Sequence, residues 1–389
     1  MLALLCLSRE PWVQLQDPPS AADVIAAHQL YNRVKVARKT PLRTTASWDD
    51  LQSAALLGGR AVGLKHISLV RAGENSATVI AGLPLPAGFW INCQVWARPD
   101  ADGYPRISGR IGYIPIPAFL IHAGIDAGRA FFRLRGVNIP PFREMVGAFT
   151  VNEHGLAADL TLPARTEVVS AVGQLQQGDL DGARIADHYC RLMQLQKEAP
   201  SDDMAEHVRR GFRGSDGSRL DNRSVFVAIS MFVAGFDIGV LLPQHEDVVD
   251  ACGKPDRRFQ LLGRKDLALH WTMSAAITSV LGSNVSIALG TWKEISDSGP
   301  GGSGFSLVDL AADRSGTFCA QKGADSNSVA VRNWLADADA TELLPIHALA
   351  LAEGMREDEF RARYTSTEND DFDATVANID ASLEVLLRF

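Results

Sequence analysis

The hydrophobic pattern changes its period along the chain, and this change most restricts the folds that the chain can adopt. Between residues 62 and 162, apolar and polar side chains alternate in short segments, and Gly, Pro, Asn and Asp separate these segments. Alternation of this kind predicts β-strands with one buried face, and the short separators predict antiparallel neighbours. The predicted strands are residues 62–70, 77–83, 90–97, 104–114, 144–152 and 156–162.

After residue 163 the apolar residues recur at intervals of three and four, which is the spacing of one helix face. Helices are also predicted earlier, over about 20–40, 48–57 and 119–134. The fold class that follows is α+β, with an N-terminal, mostly antiparallel sheet with helices and a C-terminal all-helical domain. The predicted domains are residues 1–163, an α+β envelope or binding module; 164–223, a helical connector and loop; and 224–389, a helical domain with a polar cluster.

The connector is predicted to end in an exposed loop. Residues 209–224 are rich in Gly, Ser, Asp and Arg, and they contain few apolar side chains to bury. The run 225–241 that follows is strongly apolar but includes Asp237, and it is shorter than the ~20 residues of a membrane span. We therefore predict a buried helix there.

Charge and cysteine content restrict the partners. The formal net charge of −8 argues against a nucleic-acid partner, because phosphate binding needs a basic face. The cysteines are widely spaced without a C-x-x-C pair, which predicts buried free thiols rather than a disulfide framework or a zinc site. Residues 1–7 are apolar without a preceding basic residue, so they are either the end of an export signal or anchor, or a segment that packs. The cysteines are Cys6, Cys93, Cys190, Cys252 and Cys319.

Residues 262–316 place polar side chains at regular spacing in an apolar background. Helices are predicted over about 265–281 and 285–297 and from residue 306 onward, with a glycine-rich loop at 299–304. Side chains three or four residues apart share a helix face. The packed helices are therefore predicted to bring an imidazole, several carboxylates and two hydroxyls into one cleft. The co-facial groups are Asp266, His270 and Ser274; Glu294 and Asp297; and Asp309 and Asp313.

Each candidate residue has a chemical and a structural interpretation. His270 is a base or ligand that Asp266 could orient, or else a satisfied structural histidine. Glu294 is a general acid if it is buried, and Lys293 beside it is expected to point about 100° away. Asp309 is a metal ligand or electrostatic partner, as is Asp313, although Ser306-x-x-Asp309 also fits a capping box. The catalytic candidates are His270, Glu294, Asp309 and Asp313, and the substrate-binding candidates are Lys265, Asp266, Ser274, Asp297, Ser303 and Ser306.

The same stretch resembles VanZ-like and YfiM-like bacterial envelope proteins. It contains K-D-x-x-x-H, then K-E-x-x-D, then G-S-G-F-S-x-x-D-L-x-x-D-x-x-G. Leu267 stands where those families have a lysine, and the helices look too short and polar to span a bilayer as VanZ-like helices do. The resemblance implies an envelope setting and a shared polar cluster without supplying a reaction. The matching positions are Asp266, His270, Glu294, Ser306, Asp309 and Asp313.

Two classes of function follow. The first is a hydrolase acting on peptidoglycan or another envelope glycan, because paired carboxylates suit glycoside hydrolysis. A metal-dependent phosphoester or lipid hydrolase would use the same residues. The second class is a non-catalytic scaffold or lipid-binding protein, in which the polar cluster fixes helix packing. The expected location is periplasmic or membrane-associated, with a cytoplasmic one left open, and the sequence specifies neither the metal, nor a cofactor, nor the oligomeric state.

Overall fold

The computed structural model describes residues 6–35, 41–61, 64, 66–71, 75–134, 138–163, 181–235, 245–256 and 258–386. The chain divides into two compact units, Met1–Glu167 and Val168–Phe389. Within the described residues, every β-strand lies in the first unit and the second unit is built from helices. The predicted α+β class is therefore confirmed.

Two antiparallel sheets form the first unit. The larger has the order β3-β4-β5-β6-β7 with β1 paired to β5, and the smaller has the order β2-β9-β8. The strands are β1 (Leu7–Ser8), β2 (Leu42–Ser47), β3 (His66–Arg71), β4 (Ala77–Leu85), β5 (Phe89–Arg98), β6 (Arg106–Ile111), β7 (Ile114–Ile116), β8 (Val146–Val151) and β9 (Gly155–Leu160). The helices are α1 (Ala21–Val34), α2 (Trp48–Ala61), α3 (Ala118–Leu134) and α4 (Phe142–Met145), with a short 3-10 turn at Pro86–Gly88.

The strand predicted over 104–114 is in fact a hairpin. The chain turns after β6 at Gly112, whose φ of 54° lies in the left-handed region that glycine adopts without strain. It then returns as β7, the last strand of the sheet path, and Pro115 lies in this edge strand. The alternating pattern continued through the turn, so it could not show where the strand reversed.

Helices make up the second unit. They are α5 (Gly182–Glu198), α6 (Met204–Arg213), α7 (Arg219–Ala234), α8 (Glu246–Cys252), α9 (Lys265–Leu281), α10 (Ser283–Ser298), α11 (Leu307–Gly323), α12 (Ser328–Leu335), α13 (Ala340–Leu343), α14 (Glu357–Tyr364) and α15 (Asp370–Leu386), with a 3-10 turn at Ile346–Ala350. Helix α9 packs against α7, α10 and α11, and its Trp271 is completely buried among them. The core of this unit therefore surrounds the helix that carries the predicted site.

Helices α9 and α11 approach each other closely at Gly316. A Cβ atom added there would lie 2.0 Å from the backbone oxygen of Trp271, far inside any real contact. One residue earlier, Ser315 accepts a hydrogen bond of 3.1 Å from the Trp271 indole. A hydrogen atom in place of a side chain thus allows the two helices to pack at this distance.

The loop predicted over 209–224 is wrong for most of its length. Helix α6 continues to Arg213 and α7 begins at Arg219, so only five residues connect them. Asn222 is buried, and its amide donates to the carbonyls of Gly323 and Ser328 at 3.1 and 2.9 Å. Polar side chains here satisfy buried groups instead of facing solvent. Residues 181–223 pack within the second unit, whereas residues 164–180 lie outside the described part of the chain and their connector role stays a prediction.

The prediction of free thiols is wrong for two cysteines. Cys190 in α5 and Cys252 in α8 form a disulfide across 62 residues, with a Cα–Cα distance of 5.3 Å. Only the packing of α8 on α5 brings them together, so sequence spacing contained no signal for the pair. Cys319 is a buried thiol, as predicted, and Cys6 and Cys93 are partly buried.

Among the described residues, no helix combines the length and the apolar character that crossing a bilayer requires. Helix α7 includes residues 225–234 of the apolar run predicted as a buried helix and is buried over most of its length, while residues 236–244 lie outside the described part of the chain. Residues 1–5 also lie outside the described part of the chain. Both interpretations of residues 1–7 therefore remain predictions.

Candidate functional site

The three predicted helices of residues 262–316 are present and enclose a cleft. Helix α9 has the predicted bounds, α10 is three residues longer than predicted, and Ser306 caps the start of α11. The cleft has a volume of about 680 Å³ and lies between α9, α10 and the start of α11. The site residues predicted from the sequence that line it are Asp266, His270, Ser274, Ser303, Ser306, Asp309 and Asp313.

His270 lies at the centre of the polar groups. Its side chain is only 9% exposed, and its Nδ1 atom lies 3.0 Å from Asp313 Oδ2. On the other side of the ring, Nε2 lies 3.5 Å from Asp309 Oδ2 and 3.9 Å from Glu294 Oε1. Three carboxylates thus surround one imidazole. The predicted orienting partner, Asp266, instead binds Arg264 at 2.6 Å, and Asp313 takes that position.

The surroundings of His270 favour its charged form. Burial lowers the pKa of His270, but the carboxylates of Asp313 and Asp309 together outweigh burial, so the pKa lies above its ordinary value. The 3.0 Å contact with Asp313 has the distance of an ion pair without the direction of a hydrogen bond, so charge attraction is its main component. The imidazole is therefore a stronger base than an unperturbed histidine side chain.

Glu294 is a fully buried carboxyl in α10. Its Oε1 accepts from the Lys293 ammonium at 2.8 Å, and its Oε2 accepts from the Ser306 backbone N–H at 2.9 Å. Burial raises the pKa of Glu294 to about 7, although the Lys293 charge opposes this effect. The lysine side chain turns back onto its neighbour, so the expectation that it points away is wrong.

Two carboxylate oxygens of α11 lack hydrogen-bond donors. Among the described residues, neither Asp309 Oδ1 nor Asp313 Oδ2 accepts a hydrogen bond, although both are buried. Arg264 lies 3.6 Å from Asp309 Oδ1, and Ser274 donates to the other Asp313 oxygen at 2.6 Å. Buried acceptors without a hydrogen bond cost free energy, and here the neighbouring charges of His270 and Arg264 offset part of that cost.

Gly290 keeps the space beside Asp313 open. A Cβ atom at this position of α10 would lie 2.7 Å from Asp313 Oδ2, too close for any real contact. Gly290 also lines the cleft. The absence of a side chain there lets Asp313 Oδ2 lie close to the backbone of α10.

Only half of the predicted capping box forms. Ser306 Oγ accepts from the Asp309 backbone N–H at 3.0 Å, which is the N-cap interaction. The reciprocal bond is made by Glu294, which accepts from the Ser306 N–H. The Asp309 carboxylate is therefore directed toward His270 and not back to its own helix start.

The remaining predicted residues contribute unequally. Asp297 binds Lys293 at 2.9 Å and lies 3.4 Å from the Ser303 hydroxyl, so it borders the cleft through these neighbours. Lys265 is exposed and does not line the cleft. Its neighbour Arg264 lines the cleft where Lys265 was predicted to do so.

Two charged residues at the rim of the cleft were not predicted from the sequence. Arg264 immediately precedes α9, and it binds Asp266 at 2.6 Å and Glu353 at 2.8 Å. A charged residue next to a site helix was a usable signal. Glu353 gave no such signal, because it lies far along the chain and reaches the site only in the folded structure.

The donor set could also hold a cation. His270, Glu294 and Asp313 each offer one ligand atom, and these atoms lie within 4.8 Å of one another. Nitrogen and oxygen donors of this kind suit zinc and similar divalent metals. The Lys293 ammonium already neutralises one Glu294 oxygen, so a metal ion would compete with it.

Comparisons with known proteins do not extend these observations. No family model matches the chain, and neither the curated proteins nor the solved structures include a significant match. The resemblance to VanZ-like and YfiM-like proteins stays a prediction. Function is therefore inferred from the geometry of the cleft.

Proposed function

We propose that the second unit is a hydrolase in which His270 transfers the proton. The observation that carries the proposal is the position of the imidazole at the wall of an open cleft, with the Asp313 carboxylate 3.0 Å from Nδ1. A general base needs an orienting group on one nitrogen and access to substrate on the other. Asp313 is the orienting group in this proposal, and Nε2 is the nitrogen that we assign to the reaction.

The catalytic cycle needs one water molecule and an ester or phosphoester. Neutral His270 accepts a proton from water at Nε2 while the water oxygen attacks the carbonyl carbon or phosphorus. The Asp309 and Asp313 carboxylates stabilise the imidazolium that forms, because they lie 3.5 and 3.0 Å from its nitrogens. The same proton then passes to the leaving alkoxide, which restores neutral His270 and releases an acid and an alcohol.

The geometry favours an ester or phosphoester over a glycan. Glycosidases place two carboxyl groups on opposite sides of a scissile bond. Here the carboxylates converge on one imidazole, and Glu294 has no exposed surface. Glu294 instead lies 3.9 Å from His270 as a neighbour whose own protonation alters that of the ring.

The disulfide supports an envelope setting. Disulfides form and persist in oxidising compartments such as the bacterial periplasm, and they are rare in the cytosol. The Cys190–Cys252 bond joins two helices of the unit that carries the site. A periplasmic or membrane-associated location is therefore part of the proposal.

The test is an activity screen of the full chain and its His270→Asn variant. We expect hydrolysis of carboxylic or phosphoric esters, a loss of roughly 10²–10⁴-fold in kcat on substitution, and an unchanged melting temperature. Peptidoglycan fragments serve as the competing substrate class. Equal activity of both proteins on every substrate would overturn the proposal.

A structural role for the cluster is the second candidate. Its favouring observation is that Glu294, Asp309 and Asp313 are all buried beyond nine-tenths of their surface. If the cluster only fixes helix packing, His270→Asn lowers the melting temperature, and neither protein hydrolyses any substrate of the screen.

A further inference from the structure

One wall of the cleft is apolar and open to solvent. Leu269 of α9 is 43% exposed and Leu289 of α10 is 39% exposed, and both line the same cleft as His270. Met273 and Ile277 extend this wall along α9 at steps of four residues. Large apolar side chains left in solvent inside a cleft indicate an apolar ligand.

The apolar row runs beside the polar row of the same helix. Leu269 and Met273 each precede a polar residue of the site, His270 and Ser274 respectively. Neighbouring residues of a helix point about 100° apart, so the two rows form adjacent walls. A ligand lying along α9 would contact apolar side chains while its reactive bond faced the imidazole.

The polar end of the cleft has a particular charge balance. Arg264 binds Asp266 and Glu353 and lies 3.6 Å from Asp309, and Lys293 binds Glu294 and Asp297, so each cation is already paired with at least two carboxylates. The described cleft-lining residues include the acidic side chains Asp266, Asp309, Asp313 and Glu353 against the basic side chains Arg264, Lys293 and His270, so acidic groups are in excess.

The polar end therefore offers acceptors. The carboxyl groups of Asp266, Asp309, Asp313 and Glu353 line this end of the cleft. A head group with hydroxyl or ammonium donors would find acceptors among them, whereas a phosphate or carboxylate would meet like charge, which favours carboxylic over phosphoric esters as substrates.

We propose that the cleft binds a single-chain amphiphile whose head group donates hydrogen bonds and carries no negative charge. The alkyl chain lies on the wall of Leu269, Met273 and Leu289, and the head group lies against the α11 carboxylates. That this ligand is also the substrate, an acyl ester, rests on the proposed hydrolase function. The binding itself does not.

The experiment compares ligands that cannot be hydrolysed, by calorimetry on the full chain below their micelle concentrations. The probes are 1-O-octylglycerol, octyl phosphate and glycerol. We expect octylglycerol to bind at least tenfold more tightly than octyl phosphate, and glycerol to show no measurable binding. Tightest binding of octyl phosphate would refute the head-group assignment, and equal binding of octylglycerol and glycerol would refute the apolar wall.

A pair of variants locates the binding. Leu289→Gln places a polar side chain on the wall, and we expect it to weaken octylglycerol binding about tenfold, since it removes the contact of one large apolar side chain. Val329→Gln is the control, because Val329 is 58% exposed and lies on α12. Equal effects of the two substitutions would overturn the proposal.

Hydrolysis is measured separately with acetyl, octanoyl and tetradecanoyl esters of 4-methylumbelliferone. Chain-dependent binding without hydrolysis of any ester would uphold the ligand class and refute the hydrolase. Hydrolysis that is independent of chain length, together with no octylglycerol binding, would uphold the hydrolase and refute the ligand class.

Discussion

Two places in the second unit use the same short motif with different outcomes. Ser218-x-x-Asp221 starts α7 and Ser306-x-x-Asp309 starts α11, and in both the serine hydroxyl accepts from the aspartate N–H. Each aspartate also faces a buried histidine of another helix. The distances are 2.9 Å from Asp221 Oδ1 to His188 Nε2 and 3.5 Å from Asp309 Oδ2 to His270 Nε2.

The difference lies in how the carboxylates are satisfied. Asp221 Oδ1 binds both His188 and Arg184, and its Oδ2 accepts from the Asp216 N–H at 2.8 Å. Asp309 Oδ1 receives no hydrogen bond among the described residues, and its neighbourhood opens into the cleft. A buried His–Asp contact is thus compatible with a purely structural role. Unsatisfied acceptors beside an open cleft distinguish the candidate site from the structural pair.

The largest expected contrast comes from replacing each aspartate by asparagine. Asp309→Asn should reduce kcat roughly 10–100-fold, because it removes a charge that stabilises the imidazolium, with little loss of stability. Asp221→Asn should lower the free energy of unfolding by about 2–3 kcal/mol, because it leaves buried partners unpaired, and should preserve the activity of the folded protein. Urea unfolding and initial rates provide the two measurements. The opposite assignment of effects would refute the comparison.

The space at Gly290 allows a second contrast. Gly290→Ala would place a Cβ atom 2.7 Å from Asp313 Oδ2, so the carboxylate must move. We expect about a tenfold loss of kcat and a loss of about 1–3 kcal/mol in stability. Gly124→Ala is the matched control, because a Cβ added there meets nothing within 4 Å. This substitution in helix α3 should stabilise the protein slightly. Unchanged activity of Gly290→Ala would show that the position of Asp313 is unimportant.

A pH series sharpens the contrast at Glu294. Its pKa is raised from 4.5 to about 7 in the folded protein, so folding takes up a proton between these values. Its contribution to stability is therefore complete below about pH 4.5 and is lost as the pH rises through about 7. Glu294→Gln cannot titrate, so between pH 5 and 8 the variant should gain roughly 1–3 kcal/mol relative to the parent. Chemical denaturation at each pH measures this difference, and a constant difference would contradict the shifted pKa.

The smallest contrast concerns the two serine caps. Ser218→Ala and Ser306→Ala each remove one N-cap bond, and each should cost about 1 kcal/mol of stability. Only Ser306→Ala should also reduce kcat, by a few-fold, because its cap bond holds the helix start that carries Asp309. Thermal melts and rates are measured on both proteins. Equal rates in the two variants would remove Ser306 from the positioning of the site.

Local chemistry made the site helices predictable. Helix α9 (Lys265–Leu281) has apolar residues at helical spacing, and Ser306 caps the start of α11. Both helix starts could therefore be assigned from neighbouring residues. The grouping of His270 with Asp309 and Asp313 also followed, because each helix carries its polar residues on one face.

The partners that cross between elements were not predictable in the same way. Asp313, instead of Asp266, became the partner of His270 because α11 packs on α9 at a distance that sequence spacing does not encode. The Lys293–Glu294 pair depends on the path of a flexible side chain. In residues 209–224, polar composition was taken for exposure, while Asn222 bonds buried carbonyls there. Long-range packing decided all three cases.

The contact at Gly316 affects how this protein can vary. Every amino acid other than glycine has a Cβ atom, and no Cβ atom fits 2.0 Å from the Trp271 oxygen. A missense change at this codon would therefore separate α9 from α11, and with them the imidazole of His270 from both of its aspartates. Cleft-wall positions such as Leu269 can exchange side chains and alter ligand preference, whereas any side chain at position 316 would force the two helices apart. Ligand preference can thus drift in descendants of this chain while the spacing of the two helices cannot.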